Sequence, residues 1–227
     1  MSNKLKCVLV AFAFGFSYAK AQSPQQWRDS LGVLNKKIAE NVYSSELHLK
    51  KAAVNMQLQQ WEFALEEYNM VLRKEPENLT ALYYRAYAQT KLGRYSLAAG
   101  DYKDILGKVP DNFESMLGLA HVNIRLNRMT DAMDLFNRLS EIYPDSGIVY
   151  VSRAVLEREL KNYDAALYDF DKAIALSPDD ADLLLSKLDV LIALKKKAEA
   201  MEVFRLLVKK GVSRGLLKEW EARIMKL

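Results

Sequence analysis

The chain has 227 residues, half of them hydrophobic and 27% charged, with 33 basic residues against 29 acidic ones, two histidines and one cysteine. One cysteine excludes a disulfide scaffold. Two histidines, His48 and His121, with no HExxH spacing and no glycine-rich phosphate loop, leave nothing from which to build a metal or catalytic centre, so no cofactor, no metal and no enzymatic activity are expected.

Residues 1–21 read as a secretory signal peptide. Lys4 and Lys6 lead an apolar run from Cys7 to Ala19 that is too short to span a bilayer, and Ala19-Lys20-Ala21 offers a small-x-small cleavage site before Gln22. Cys7 stands at the start of that run instead of after it, which argues against a lipid-modified cysteine. The protein is therefore expected to be exported, periplasmic or secreted. Loss of Lys4, Lys6 and Lys20 with the leader lowers the formal charge from +4 to +1. Nucleic acid is then not an expected partner, because neutralising phosphates needs clustered excess lysine and arginine. Membrane contact is not expected after cleavage either.

Residues 22–44 carry Trp27, Leu31, Leu34 and Ile38 at helical spacing. Beyond them the chain is periodic: Pro76, Pro110, Pro144 and Pro178 stand 34 residues apart. Units starting at Ser45, Leu79, Phe113, Gly147 and Ala181 agree column by column. The eighth residue is Ala52, Ala86, Ala120 and Ala154 in four units, and the twentieth is alanine in all five (Ala64, Ala98, Ala132, Ala166, Ala200). The twenty-fourth is Tyr68, Tyr102, Phe136, Phe170 and Phe204, and the seventeenth runs Trp61, Tyr95, Met129, Tyr163, Lys197. Small residues facing large ones mark a close helix crossing. Gly93 and Asn127 mark a break near positions fourteen to sixteen, and Pro-Glu-Asn or Pro-Asp-x tripeptides stop the second helix and supply oxygens to cap the next. No segment alternates with period two, so no strand is expected. After the fifth unit, residues 215–227 place Leu216, Leu217, Trp220, Ile224 and Leu227 on one apolar stripe, with Lys218, Arg223 and Lys226 turned away from it.

This column pattern resembles the tetratricopeptide repeat, over Ser45 to Arg214. It departs at position eleven, where the family usually has an aromatic and this chain has Asn55, Gln89, Asn123, Glu157 and Leu191, and in the fifth unit, where Val212 replaces the proline. The resemblance implies an all-α fold, an α-solenoid of helix-turn-helix units. Five full repeats (45–78, 79–112, 113–146, 147–180 and 181–214) follow an N-terminal half repeat in 22–44, with Ser30 in the alanine column. The stack closes with a C-terminal capping helix in 215–227.

Column seven is basic in four repeats (Lys51, Arg85, Arg153, Lys187), and column twenty-three is acidic in three of the same ones (Glu67, Asp101, Asp169). In the third repeat both are leucine, Leu119 and Leu135. These columns are read as ion pairs between the two helices of a repeat, with Lys187 left over because its counterpart is Val203. In the resembled family, positions two, five, nine, twelve and thirteen of the first helix line the concave face. Here they supply Tyr83, Tyr87, Lys91, His121, Ile124, Arg125, Val151, Val155 and Arg158, an apolar and aromatic strip with polar anchors that suits a peptide groove. The competing reading packs Tyr83, Tyr84 and Tyr87 between neighbouring first helices. The class implied is a non-enzymatic scaffold holding a protein or peptide. The alternative is a permanent subunit of a cell-envelope assembly that uses its convex or terminal surfaces.

Overall fold

A computed structural model describes residues 23–227; the leader expected in residues 1–21 lies outside the described residues. Among these residues there are twelve α-helices and no strand. The chain forms two compact units, divided after Pro76. The first holds α1 (Pro24–Glu40), α2 (Ser45–Gln57) and α3 (Trp61–Lys74). The second holds α4 (Leu79–Lys91), α5 (Tyr95–Lys108), α6 (Phe113–Arg125), α7 (Met129–Ile142), α8 (Gly147–Glu159), α9 (Tyr163–Leu176), α10 (Ala181–Ala193), α11 (Lys197–Lys209) and α12 (Arg214–Met225). Within each unit, every helix packs on its neighbours in sequence.

Helix boundaries follow from local chemistry repeated at the 34-residue period. Each first helix starts after Ser44, Asn78, Asn112, Ser146 or Asp180, and all of these side chains except Ser146 accept a backbone N–H from the first turn. Each first helix ends in one two-bond closure. The residue at position fifteen (Gln59, Gly93, Asn127, Lys161, Lys195) has φ between 56° and 74°. The next N–H then reaches back to the carbonyl of position eleven at 2.8–2.9 Å, as from Arg94 to Gln89 and from Lys196 to Leu191. This is a Schellman cap, and it needs the left-handed backbone that Gly93 and Asn127 signal in the sequence. Gln59, Lys161 and Lys195 adopt it as well, without the residue types that would announce it. In the fifth repeat, Gly211 at φ 88° closes α11 by the same pair of bonds, Gly211 N–H to Val208 and Val212 N–H to Leu207. A glycine cap there does the work of the proline that Val212 replaces.

The columns become the core. All five alanines at position twenty are fully buried, as are the four alanines at position eight. The rings of Tyr68, Tyr102, Phe136, Phe170 and Phe204 lie between 0 and 6% exposed. In α1, Trp27, Leu31, Leu34 and Ile38 are half-buried, and no residue of that helix is fully buried. The capping stripe of α12 is narrower than its sequence pattern: Leu217 and Ile224 are fully buried against α10 and α11, whereas Leu216 is 71% exposed.

Candidate functional site

The basic and acidic columns meet. Arg85 binds Asp101 through two parallel bonds of 2.8 and 2.6 Å, and Arg153 binds Asp169 through two of 2.7 and 2.8 Å. Lys51 reaches Glu67 at 2.7 Å, and His48 Nδ1 lies 2.5 Å from the same carboxylate. These side chains are occupied within their repeats and do not form a binding stripe. Lys187 is not left over, as expected from Val203: it pairs with Asp171 at 2.6 Å, on the second helix of the preceding repeat. Arg153 reaches the preceding repeat as well, through Asn137 Oδ1 and Ser140 Oγ. The register between successive repeats is therefore written partly in column twenty-five (Asn137, Asp171), which the pairing of columns seven and twenty-three does not include.

The groove row lies on the first helices of the second unit. In α4, Tyr83 is half-buried, its ring edge-on to Tyr84 (centroids 5.2 Å apart) and to Tyr102 (6.0 Å). Tyr87, one turn on, is 38% exposed, and the Lys91 ammonium lies 5.1 Å from its ring centroid. Tyr83 is thus a packing residue with one face outward, while Tyr84 and Tyr87 keep substantial exposure. His121 in α6 is exposed. Its Nε2 lies 3.2 Å from Ser152 Oγ in α8, and its ring meets Phe136 edge-on at 5.8 Å. Desolvation by the surrounding protein lowers the His121 pKa, which favours the uncharged ring.

The other expected residues divide between surface and core. Ile124 packs against the Phe136 cluster, Val155 against Ala154, Ala166, Phe170 and Val190, and Val151 against Tyr150, Ala173 and Leu183. All three are half-buried and show only part of their surface along the row. Arg125 is exposed and lies over the Tyr95 ring, 5.0 Å from its centroid, and Arg158 is half-buried.

Two features of this surface are not in the column reading. The first is Tyr102, whose ring end occupies the space where a side chain at Gly118 would begin: a Cβ there would lie 2.5 Å from Tyr102 Cζ and 2.8 Å from its hydroxyl. Burial, with the neighbouring Tyr83, pushes the Tyr102 phenol far above its ordinary pKa, and a hydrogen bond with Thr90 opposes that shift. The sequence signal is the coincidence of a tyrosine at position twenty-four with a glycine at position six of the next unit; at the same two positions the next pairs read Phe136 with Ser152 and Phe170 with Ser186. The second feature closes the row at its far end. Trp220 Nε1 and Arg223 of α12 both donate to Asp189 Oδ1, at 3.1 and 2.6 Å. Arg223 therefore does not turn away from the cap but seals the last groove position. Asp189 lies 31 residues before Trp220, and His121 lies 31 residues before Ser152, so α12 continues the register as the first helix of a sixth unit.

Among the described residues, no group of three or more histidine, cysteine, aspartate or glutamate side chains could hold a metal ion, and no helix is long and apolar enough to cross a membrane. Tetratricopeptide-repeat family models match residues 89–152 and 157–217, and a second such model matches 49–113. No curated protein matches the chain. Solved structures resemble it in fold. A tetratricopeptide repeat protein from Parabacteroides merdae is 23% identical, with a TM-score of 0.64 over 88% of this chain and 78% of that one. YrrB, described as a TPR protein with an unusual peptide-binding site, is 17% identical, with a TM-score of 0.66 over 83% and 97%. MamA from Desulfovibrio magneticus RS-1 is 16% identical, with a TM-score of 0.68 over 74% and 94%.

Proposed function

Since the chain belongs to the tetratricopeptide-repeat family, we propose that it is an exported, non-enzymatic adaptor that holds a segment of another protein along the first helices of its second, third and fourth repeats. The observation that carries this reading is Tyr87. Packing does not require a large aromatic at 38% exposure on that face, yet one stands there with Lys91 over its ring, beside the half-buried Tyr83 and in the same row as His121. A tyrosine gives contact area with few torsions to freeze and keeps a hydroxyl for the ligand backbone. Lys91, Arg125 and Arg158 supply polar anchors along one edge. A peptide-binding site in YrrB, a protein of the same fold, supports the class of ligand.

The test is affinity capture with the protein, identification of the partner by mass spectrometry, and repetition with Tyr87→Ala. The variant should lose at least about tenfold in affinity, as for a contact worth over ~1.4 kcal/mol, with an unchanged melting temperature. Normal capture would remove the centre of the groove. Export is tested on the same preparation by intact mass, which should place the first residue at Gln22; retention of Met1 would refute it.

A second reading rests on the second helices, where Leu97 and Tyr168 are 58% and 59% exposed. Apolar residues so placed fit a permanent subunit that buries its outer face in an envelope assembly. Under that reading, Leu97→Ser with Tyr168→Ser would abolish capture and Tyr87→Ala would not.

A further inference from the structure

The charge of the second unit is split along the chain. Residues 77–194 carry eighteen acids against thirteen lysines and arginines, whereas residues 195–227 carry four acids against ten. In the basic part, Lys196, Lys210 and Arg223 are engaged with Glu199, Asp179 and Asp189. Lys195, Arg205, Lys209, Arg214, Lys218 and Lys226 are all exposed and form no such ion pair among the described residues, where Lys197 reaches the Met225 carbonyl. They sit on the α10–α11 turn, on α11 and on α12, so they surround the last layer of the unit and do not line a cleft. Three of the unit's exposed apolar side chains share that layer: Leu216 at 71%, Met225 at 63% and Leu227 at 40%.

We infer that this end of the molecule is a peripheral docking surface for an anionic phospholipid bilayer. The proposal is independent of the groove and goes beyond it. Helix α12 has two jobs: Leu217 and Ile224 are buried in capping the repeats, and its exposed side chains include Arg214, Lys218, Met225 and, at its end, Lys226, beside Glu219 and Glu221. Capping and lipid contact therefore do not compete, although the sequence pattern led us to expect no membrane contact. Cations spread over three segments match mobile headgroups that rearrange around each charge, whereas an acidic protein partner would ask for a fixed complementary cleft. Protruding Leu216, the most exposed apolar side chain of the layer, reaches the headgroup boundary as such side chains do on interfacial helices. The acidic remainder of the unit is repelled by the same surface and sets the orientation, with the groove row held away from the lipid.

The experiment is co-sedimentation of the purified protein, its N-terminus established by mass, with vesicles of about one-third phosphatidylglycerol in phosphatidylcholine and with phosphatidylcholine alone, at about 0.05 and 0.5 M salt. The triple variant Lys209→Glu, Lys218→Glu, Lys226→Glu shares that N-terminus, so any contribution from it cancels. We expect binding to the anionic vesicles at low salt, loss at high salt, and a reduction of roughly tenfold or more in the variant with an unchanged melting curve. Leu216→Ser should weaken binding severalfold at constant charge. Equal binding of variant and parent, or no binding of the parent at low salt, overturns the proposal. So does salt-sensitive dimerisation without lipid that the same reversals abolish, because the patch would then face the acidic surface of a second copy.

Discussion

Replacing Gly118 with alanine separates two effects of opposite sign, and the structure says which one wins. Alanine in the body of a helix is favoured over glycine by about 0.8–1 kcal/mol. At Gly100 and Gly107 in α5 an added Cβ meets nothing within 4 Å, so Gly100→Ala and Gly107→Ala should each stabilise by about that amount. At Gly118 the same Cβ would lie 2.5, 2.8 and 2.9 Å from three atoms at the end of the Tyr102 ring. That ring is 3% exposed and packed edge-on to Tyr83, so it has no open side into which to move. Overpacking of this kind costs roughly 1–3 kcal/mol, which exceeds the helical gain at the upper end and cancels it at the lower. Gly118→Ala should therefore fall about 1–3 kcal/mol below Gly100→Ala in urea unfolding, read as a shift of midpoint at constant slope. The double variant Tyr102→Phe with Gly118→Ser copies the pairing of Phe136 with Ser152 and should recover part of the loss. Equal stability of Gly118→Ala and Gly100→Ala would show that Tyr102 does not fill that space.

Three further outcomes test other parts of the structure. Lys161→Gly and Lys195→Gly relieve left-handed backbone that costs a side chain about 1 kcal/mol, so each should raise stability by several tenths of a kcal/mol in the same unfolding assay; Gly93→Ala should lower it. A double-mutant cycle on Arg153 and Asp169 should give a coupling of about 0.5–3 kcal/mol, with Arg153→Ala alone the more damaging change, because it strands the buried Asp169 carboxylate, whereas after Asp169→Ala the guanidinium keeps Asn137 and Ser140. Glu157 is half-buried with one carboxylate oxygen lacking a partner among the described residues, and burial, then repulsion from Asp169, raises its pKa above the ordinary carboxylate value. A carboxyl whose folded pKa is raised contributes most below the unfolded pKa and becomes a penalty as pH rises through the folded one. Glu157→Gln should therefore stabilise at neutral pH, and the advantage should shrink toward zero as pH falls below about 4; an advantage independent of pH would assign it to packing.

The period made most of the fold legible, because each of its columns reports a contact made several times over. Alanine at position twenty and an aromatic at position twenty-four can be read from five copies. What one copy alone does is harder to see. Gln59, Lys161 and Lys195 take the left-handed cap because the Schellman bonds and the helix crossing beyond them require it, and no local propensity announces that. The pairing of Lys187 with Asp171 crosses a repeat boundary, so comparing positions inside one unit misses it.

The candidate row was legible only in part, for a related physical reason. Side chains at positions five, nine and twelve face the row, but how much of each remains on the surface depends on the size of its neighbours in the adjacent helix. Ile124, Val151 and Val155 are half-spent on the core, whereas Tyr87 is too long to be covered. The tyrosine at position twenty-four of the second repeat matters to the row only because the next unit has glycine at position six. Asp189, at position nine of the fifth unit, is occupied by Trp220 and Arg223. Surface chemistry in a repeat array is thus set by pairs of positions 16 to 34 residues apart, such as Tyr102 with Gly118 and Asp189 with Arg223, and not by the columns singly. Variation confined to such pairs lets the row change its ligand while the alanine and aromatic columns beneath it stay as they are.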